Sequence, residues 1–224
     1  HDPAVLPRVL EYLTVQVSEM FRDPTYFRAI REKVVPHLRT YPSLKVWIAG
    51  CSGGEELYSF VILFREEGLE DRTLFYATDI NQDALRTAEA GIYGLDRVQL
   101  FTENHRKSGG LSSLSDYYQA AYGRVAFDKS LRQKVVFSDH SLVTDAVFAE
   151  MHLVSCRNVL IYFDRTAQDR ALGLIAGIAG SVAAQQIDLQ VIERIDIGLT
   201  VAEAARERRV ARQPLLLAGH QRDR

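Results

Sequence analysis

The stretch 45–58, KVWIAGCSGGEELY, constrains the fold of this chain more than any other part of it. The apolar run 46–49 is typical of a short buried strand, and it stops at Gly50 and the glycine pair 53–54. The acidic pair 55–56 then begins a run of apolar residues at helical spacing. This order predicts a strand, a glycine turn and a helix. A ligand can approach the main chain closely at Gly50, because glycine has no Cβ.

The acidic pair 55–56 also bears on which ligand such a turn would bind. Carboxylates at the helix N-terminus repel phosphate, whereas they tolerate a ligand with hydroxyl groups and a positive centre. The spacing Gly50-x-Ser52-x-Gly54 departs from the dinucleotide fingerprint, which requires a glycine at position 52. These residues favour S-adenosylmethionine, a sulfonium without phosphate, over NAD or ATP. A tight turn that only packs the helix on the strand remains an alternative.

Composition narrows the class of protein. The chain has 224 residues, 47% of them hydrophobic and 25% charged, which suits one globular α/β domain with appendages. Its net charge of −2 gives no general attraction for nucleic acid, so we expect no nucleic-acid partner. Two cysteines are too few for a secreted disulfide framework, and no apolar run reaches about 18 residues. We therefore expect a cytoplasmic monomer that does not insert into a membrane.

Polar residues directly follow the predicted strands. The apolar run 73–78 ends in Asp79, and a carboxylate at that place accepts hydrogen bonds from a ribose diol in folds of this kind. Capping the next helix is the alternative role for Asp79. The third predicted strand leads to Ser141, and Asn158 follows the next apolar run. Ligands of open parallel sheets bind beyond the carboxyl ends of the strands, so we expect Asp79, Ser141 and Asn158 to lie at one edge.

Two other chemistries receive little support from the sequence. The six histidines include no pair at ligand spacing, so we predict no metal site. Residues 50–54 fit the G-x-S-x-G pattern of a hydrolase nucleophile, but the acidic pair 55–56 would crowd a developing oxyanion. We therefore rank a hydrolase well below a nucleoside-binding protein.

The segments outside the predicted strands carry weaker signals. Arg22 lies between a phenylalanine and an Asp-Pro turn, where it is either held in place or is a solvated charge at a helix end. A helix is predicted over 25–38, with its end disturbed by Pro36. From 91 to 134 the periodicity weakens, which indicates an inserted subdomain or a lid.

Six segments together resemble one family, the bacterial chemoreceptor glutamate methyltransferases of the CheR type. They are VSEMFRDP (17–24), AGCSGGEELYS (49–59), YATDIN (76–81), ALRTAEAGIY (84–93), VFSDHSL (136–142) and CRNVLIYFD (156–164). They occur in the order of the family and span roughly residues 12–175. The resemblance implies an α/β fold, a Rossmann-type class I methyltransferase with a mostly parallel sheet and a small antiparallel β-subdomain inserted at 95–134.

The resemblance also implies roles for individual residues. S-adenosylmethionine would be the cofactor and S-adenosylhomocysteine the product. The implied cofactor contacts include the glycine of the first turn. They are Ser18, Arg22, Gly50, Glu56, Asp79, Leu142, Asn158 and Val159. Arg22 and Tyr162 correspond to side chains that act beside the reacting groups. Gln16 and Ser141 stand where the family usually has asparagine, so we expect these two cofactor contacts to be altered or weakened.

The implied reaction is the conversion of a receptor glutamate to its γ-methyl ester, with the cytoplasmic helices of chemoreceptors as partners. We expect a residual N-terminal helical segment and linker at 1–40, the methyltransferase domain at 41–180 and an atypical tail at 181–224. A catalytically silent S-adenosylmethionine-binding signalling module is the main alternative, because of the tail and the two departures from asparagine. An NAD(P)-dependent oxidoreductase is a second alternative, disfavoured by Ser52 and the acidic pair.

Overall fold

The computed structural model of the chain describes residues 18–146 and 148–179, with side chains up to residue 175. Gln16 and the tail at 181–224 therefore lie outside the described residues, as do residues 1–17 of the predicted segment 1–40. No helix within the described ranges is both long and apolar enough to cross a membrane.

The larger sheet consists of four parallel strands. They are β1 (Leu44–Ala49), β2 (Thr73–Asp79), β6 (Val135–Asp139) and β7 (Leu153–Ser155). Their order across the sheet is β6-β2-β1-β7. Strand β1 is buried at every position except Lys45, as expected for an apolar run with a neighbour on each side.

The chain reverses its direction of travel across the sheet next to β1. It passes from β1 to β2 and on to β6, and it then crosses back to place β7 on the other side of β1. Val46 accordingly pairs with Phe75 of β2 on one side and with Leu153 of β7 on the other. Ligands of open α/β sheets bind at such a reversal, beyond the carboxyl ends of the strands. The predicted fold class is confirmed.

A helical stretch precedes β1, and its hydrogen-bond pattern changes from α to π and back to α. It comprises α1 (Pro24–Ala29), a π-helical segment (Ile30–Val34) and α2 (Val35–Leu38). Pro36 has no N–H and its ring crowds the carbonyl four residues earlier, so the preceding turn widens and the N–H of Val35 donates to the carbonyl of Ile30. The helix predicted from residue 25 thus begins at Pro24, and Pro36 alters the turn that precedes it.

Four further helices pack around the strands. They are α3 (Glu55–Glu66), α4 (Gln82–Ala90), α5 (Val98–Lys107) and α6 (Arg165–Ala179). Helix α3 is buried over most of its surface, with Leu57, Phe60 and Phe64 fully inside the main core. Because α3 directly follows the glycine turn, its burial holds this turn in place at the carboxyl end of β1.

A small antiparallel sheet lies between β2 and β6 in the sequence. It is formed by β3 (Ile92–Gly94), β4 (Tyr118–Ala121) and β5 (Arg124–Phe127), in the order β3-β5-β4. The inserted antiparallel sheet is confirmed, and it includes a strand that begins before residue 95. The limits of the predicted domains remain predictions. Short 3-10 helices complete the described chain at Glu70–Arg72, Leu95–Arg97, Leu114–Tyr117, Lys129–Arg132 and Leu160–Tyr162.

Candidate functional site

A cavity of about 360 Å³ lies beyond the carboxyl ends of β1, β2 and β7. Its wall is formed by the loops that follow these strands and by the segment before α1. Nine residues predicted from the sequence line it: Ser18, Arg22, Gly50, Glu56, Asp79, Leu142, Asn158, Val159 and Tyr162. Residues separated by up to 144 positions in the chain are thus brought to one place, as a carboxyl-end site requires.

The turn after β1 forms the floor of the cavity. The N–H groups of Gly50 and Cys51 donate to the carbonyl of Thr78, at 2.8 and 2.9 Å, which ties the turn to β2. Gly50 has φ of +71°, and a Cβ at this position would collide with the side chain of Val159. Only glycine fits both the conformation and the space.

Asp79 holds the turn after β1 and the turn after β2 together. Its Oδ2 accepts a hydrogen bond from the Ser52 N–H at 2.8 Å, and its Oδ1 accepts one from the Asn81 N–H at 2.9 Å. The side chain of Asn81 caps α4, so the alternative role of Asp79 as the cap of that helix is wrong. Each carboxylate oxygen of Asp79 retains a second acceptor position for a ligand hydroxyl.

The two glutamates at the start of α3 have different environments. Glu55 is 4% exposed and pairs with Arg97 at 2.7 Å, outside the set of residues that line the cavity. Glu56 lines the cavity, where its Oε1 accepts from the Ser155 hydroxyl at 2.6 Å. The argument that both carboxylates face the ligand is therefore wrong for Glu55, because helical rotation directs adjacent side chains to different sides.

Arg22 directly follows two residues that are anchored to helices α3 and α5. The N–H of Phe21 donates to the hydroxyl of Ser59 at 2.7 Å, and the side-chain amide of Asn104 donates to the carbonyl of Met20 at 3.1 Å. Phe21 adopts φ of +51°, which is unusual for a residue with a side chain. These contacts direct partly buried Arg22 to the cavity wall.

The opening of the cavity has an aromatic and apolar rim. Tyr162 is 54% exposed and Ile161 is 56% exposed, and both lie in the short 3-10 helix after β7. Ile80, on the opposite side after β2, is 43% exposed. The rim therefore presents apolar surface to solvent around the opening of the cavity.

Ser141 is placed differently from the other predicted residues. It is absent from the set that lines the cavity, while its neighbours His140 and Leu142 belong to that set. The hydroxyl of Ser141 accepts from the N–H groups of Val143 and Thr144, at 3.3 and 3.2 Å. A serine side chain is short enough to bond to its own turn in this way.

The two cysteines lie in the turns after β1 and β7. Both are buried, with free thiols. Burial, and then the negative charge of Asp79, raise the pKa of Cys51 well above its usual value. Burial and the charge of Glu56 raise the pKa of Cys156 to about 12. Both thiols are therefore protonated at neutral pH, which argues against a nucleophilic or redox role.

Comparison with known proteins identifies the family. Residues 16–193 match the model described as CheR methyltransferase, SAM binding domain. The chain belongs to this family. The match continues past residue 175, the point at which we expected the resemblance to end, and into the segment predicted as an atypical tail. Membership confirms the predicted cofactor, S-adenosylmethionine.

Individual relatives agree with this assignment. The Cher3 protein of Pseudomonas putida, provisionally named a methyltransferase, is 59% identical over 174 residues, which are 78% of this chain and 64% of that protein. A chemotaxis protein methyltransferase of Listeria innocua is 30% identical over 76% of this chain and 63% of its own length. An uncharacterized 104.1 kDa protein of Rhodobacter capsulatus is 33% identical over 77% of this chain and 18% of its own length. The chain thus spans less than two thirds of the relatives that it matches.

Sequence reasoning missed one buried charged residue of the site. Arg157 lines the cavity, is 9% exposed, and bonds to Glu56 and Asp23. Its only signal in the sequence was its position between Cys156 and the predicted contact Asn158. A charged residue inside an otherwise apolar stretch is a fair indication of a buried partner.

Proposed function

We propose that the protein transfers the methyl group of S-adenosylmethionine to glutamate side chains in the cytoplasmic helices of bacterial chemoreceptors. The observation that carries the proposal is that Glu56 and Asp79 line the same cavity as Arg22 and Tyr162. The family and the names of the chemotaxis methyltransferase relatives support it. This substrate would place the protein in the cytoplasm, and we propose that it acts as a monomer.

The cofactor would lie across the carboxyl-end edge. Asp79 would accept hydrogen bonds from the ribose diol, and Glu56 would accept from the amino group of the methionine part. Gly50 would allow the cofactor to approach the main chain, and Asn158 and Val159 would contact it from the turn after β7. The negative charges of Glu56 and Asp79 suit a cationic sulfonium and would oppose a phosphate. Gln16 stays a predicted contact.

The reaction needs no general base. A glutamate γ-carboxylate has a pKa of about 4.3 and is ionised at neutral pH. Its oxygen attacks the methyl carbon in line with the carbon–sulfur bond. That bond breaks, its electron pair stays on sulfur, and the neutral thioether and a methyl ester result. Because opposite charges disappear towards the transition state, a site less polar than water favours transfer, and alignment contributes several kcal/mol.

Arg22 and Tyr162 would orient the incoming carboxylate. A guanidinium can hold a carboxylate bidentately, and a phenol can add one hydrogen bond. A larger cluster of positive charge would stabilise the ionised carboxylate in the ground state and slow the transfer. One arginine and one half-exposed phenol at the rim therefore suit a substrate that must react after it binds.

Transfer of labelled methyl groups tests the proposal directly. The protein is incubated with receptor-containing membranes and S-adenosylmethionine labelled with tritium in the methyl group. We expect label in the receptor band that mild alkali releases as methanol, since carboxyl methyl esters are alkali-labile, and we expect loss of labelling when the acceptor glutamates are changed to glutamine. Alkali-stable label would indicate a different acceptor atom. Binding of S-adenosylhomocysteine without any labelling would instead favour the silent binding module.

A further inference from the structure

We infer that Arg157 is a positioning residue that fixes two separate parts of the site at once, the carboxylate of Glu56 and the turn that carries Arg22. The inference rests on the proposed function. Arg157 follows β7, and its side chain is 6% exposed. Its Nη1 donates to Glu56 Oε2 at 3.2 Å, and its Nη2 donates to Asp23 Oδ2 at 2.5 Å. One planar guanidinium thus joins two carboxylates that belong to different elements.

Glu56 is oriented at both of its oxygens. Ser155 holds Oε1 at 2.6 Å while Arg157 holds Oε2, so the carboxylate cannot rotate without losing a partly buried hydrogen bond. Ser155 is 1% exposed, and its hydroxyl lies 3.5 Å from that of Tyr26. Glu56 consequently presents its remaining acceptor positions to the cavity in a fixed direction.

Asp23 bonds to Arg157 and not to the first turn of its own helix. It occupies the N-cap position of α1, where an aspartate side chain commonly accepts from the first turn of its own helix, yet it makes no such bond. Its φ is +58°, a conformation that costs free energy for a residue other than glycine. The bond to Arg157 stabilises this turn, and Arg22 is the adjacent residue.

The guanidinium is held on its faces as well as at its edges. Its central carbon lies 4.2 Å from the ring centre of Tyr26 and 5.8 Å from that of Phe27, within the range of cation–π contacts. Both rings belong to α1. The charge also matters, because Arg157 separates two carboxylates that would otherwise repel each other, and it leaves the trio with one net negative charge towards a cationic cofactor.

The chain offers a matched control for this residue. Arg31 is 8% exposed, as Arg157 is 9% exposed, and it also pairs with two carboxylates, those of Glu66 and Glu67. It does not line the cavity. Arg→Lys keeps the charge at either position but removes the planar fork that spans two acceptors. Each substitution removes a partly buried hydrogen bond, but only the one at Arg157 lies at the cavity.

The test compares Arg157→Lys, Arg157→Gln and Arg31→Lys with the wild type. Calorimetry gives the Kd of S-adenosylhomocysteine, and methyl transfer at saturating cofactor gives kcat. We expect Arg157→Lys to weaken binding on the order of tenfold and to lower kcat by a similar factor, since small misplacements of reacting groups are costly. Arg157→Gln should lose more, and if it does not fold, the lysine variant still gives the result. Arg31→Lys should leave Kd and kcat unchanged.

Asp23→Asn tests the positioning of Arg22 separately from the orientation of Glu56. It leaves Glu56 and Ser155 in place, so kcat should fall while the Kd of S-adenosylhomocysteine stays at the wild-type value. Wild-type Kd and kcat in both Arg157 variants would overturn the inference, as would equal losses in Arg31→Lys. Wild-type kcat in Asp23→Asn would contradict the claim that Arg157 positions Arg22 through Asp23. Failure of the wild type to bind S-adenosylhomocysteine would instead contradict the proposed function itself.

Discussion

Single side chains at the cavity are held in place by the protein's own hydrogen bonds. Asp79 accepts from two backbone N–H groups, and Glu56 accepts from the side chains of Ser155 and Arg157. A carboxylate that is already oriented loses little conformational entropy when a ligand binds, so more of each new hydrogen bond appears as affinity. The acidic groups of the site are therefore suited to bind a cofactor in one defined position.

Arg22→Ala should affect turnover more than cofactor binding. The truncation removes the group proposed to align the acceptor carboxylate, so we expect kcat to fall by about tenfold or more. The Kd of S-adenosylhomocysteine should change by no more than about threefold, because Asp79 and Glu56 keep their hydrogen bonds. Steady-state methyl transfer at saturating substrate measures kcat, and calorimetry measures the Kd.

Arg28→Ala is the control for Arg22→Ala. Arg28 is exposed, lies in α1 and donates to the carbonyl of Lys107, away from the cavity. The Arg28→Ala variant should keep the wild-type kcat. An Arg22→Ala variant with wild-type turnover, or one that loses affinity as strongly as turnover, would contradict the aligning role.

The same scale shows what the sequence could and could not predict. The position of Asp79 at the cavity was predictable because it follows from a local pattern, a carboxylate at the end of an apolar run. Arg157 was not, because its partners Asp23 and Glu56 are 134 and 101 residues away in the chain. Ser141 was placed in the site through its position after a strand, but its hydroxyl bonds to its own turn. Local competition of this kind is decided by geometry that the residue types alone do not contain.

Among the secondary-structure elements, the glycine turn before α3 depends on close packing against α4. Gly54 has φ of +91°, and a Cβ there would lie 2.9 Å from the Cα of Ala88 in α4. The N-terminus of α3 and the last turn of α4 can approach each other only because this residue has no side chain. The stretch 45–58 predicted this turn, but the helix that packs against it could not be identified without the structure.

Gly54→Ala should destabilise the protein strongly. The substitution combines a left-handed backbone conformation with a collision against main-chain atoms, and we expect a loss of about 3 kcal/mol in the free energy of unfolding. Urea denaturation monitored by circular dichroism measures this loss. The cofactor edge would shift as well, so affinity for S-adenosylhomocysteine should fall.

Gly68→Ala provides the matched control for the collision. Gly68 has φ of +68°, but a Cβ at this position would meet no atom within 4 Å. Only the backbone cost applies, about 1 kcal/mol. If both variants lost the same stability, close packing at Gly54 would not be the reason for the glycine.

Across the described chain as a unit, one buried ionic cluster joins the helices to the inserted subdomain. Glu66 at the end of α3 has a side chain that is 2% exposed, and it bonds to Arg31, His105, Ser112 and Tyr117. These partners come from the π-helical segment, from α5 and from the region before β4. Burial alone would raise the pKa of Glu66, but the hydrogen bonds from His105 and Ser112 and the charge of Arg31 lower it to about 2.

This pKa predicts the acid limb of the stability curve. A carboxylate whose pKa is depressed in the folded state stabilises it above the unfolded value of 4.5, and the stabilisation is lost as the pH falls towards about 2. Glu66→Gln should therefore unfold more easily at pH 7, by about 3 kcal/mol, since it breaks a buried ion pair. Its stability should also depend less on pH between 4.5 and 2 than that of the wild type.

Glu103→Gln is the comparison for Glu66→Gln. Glu103 pairs with Lys107 on the surface of α5, with about half of each side chain exposed. Its removal should change the thermal midpoint very little at any pH. An unaltered acid limb in Glu66→Gln would show that other carboxylates dominate acid unfolding.

The measurement that tests the central claim most directly is calorimetric titration of the wild type and of Asp79→Ala with S-adenosylhomocysteine. Asp83→Ala, which removes an exposed carboxylate from the neighbouring helix α4, is the matched control. We predict one binding site in the wild type and in Asp83→Ala, and no measurable binding in Asp79→Ala. A wild type that releases no heat, or an Asp79→Ala variant with wild-type affinity, would contradict the claim that the carboxyl-end edge of the parallel sheet binds the cofactor.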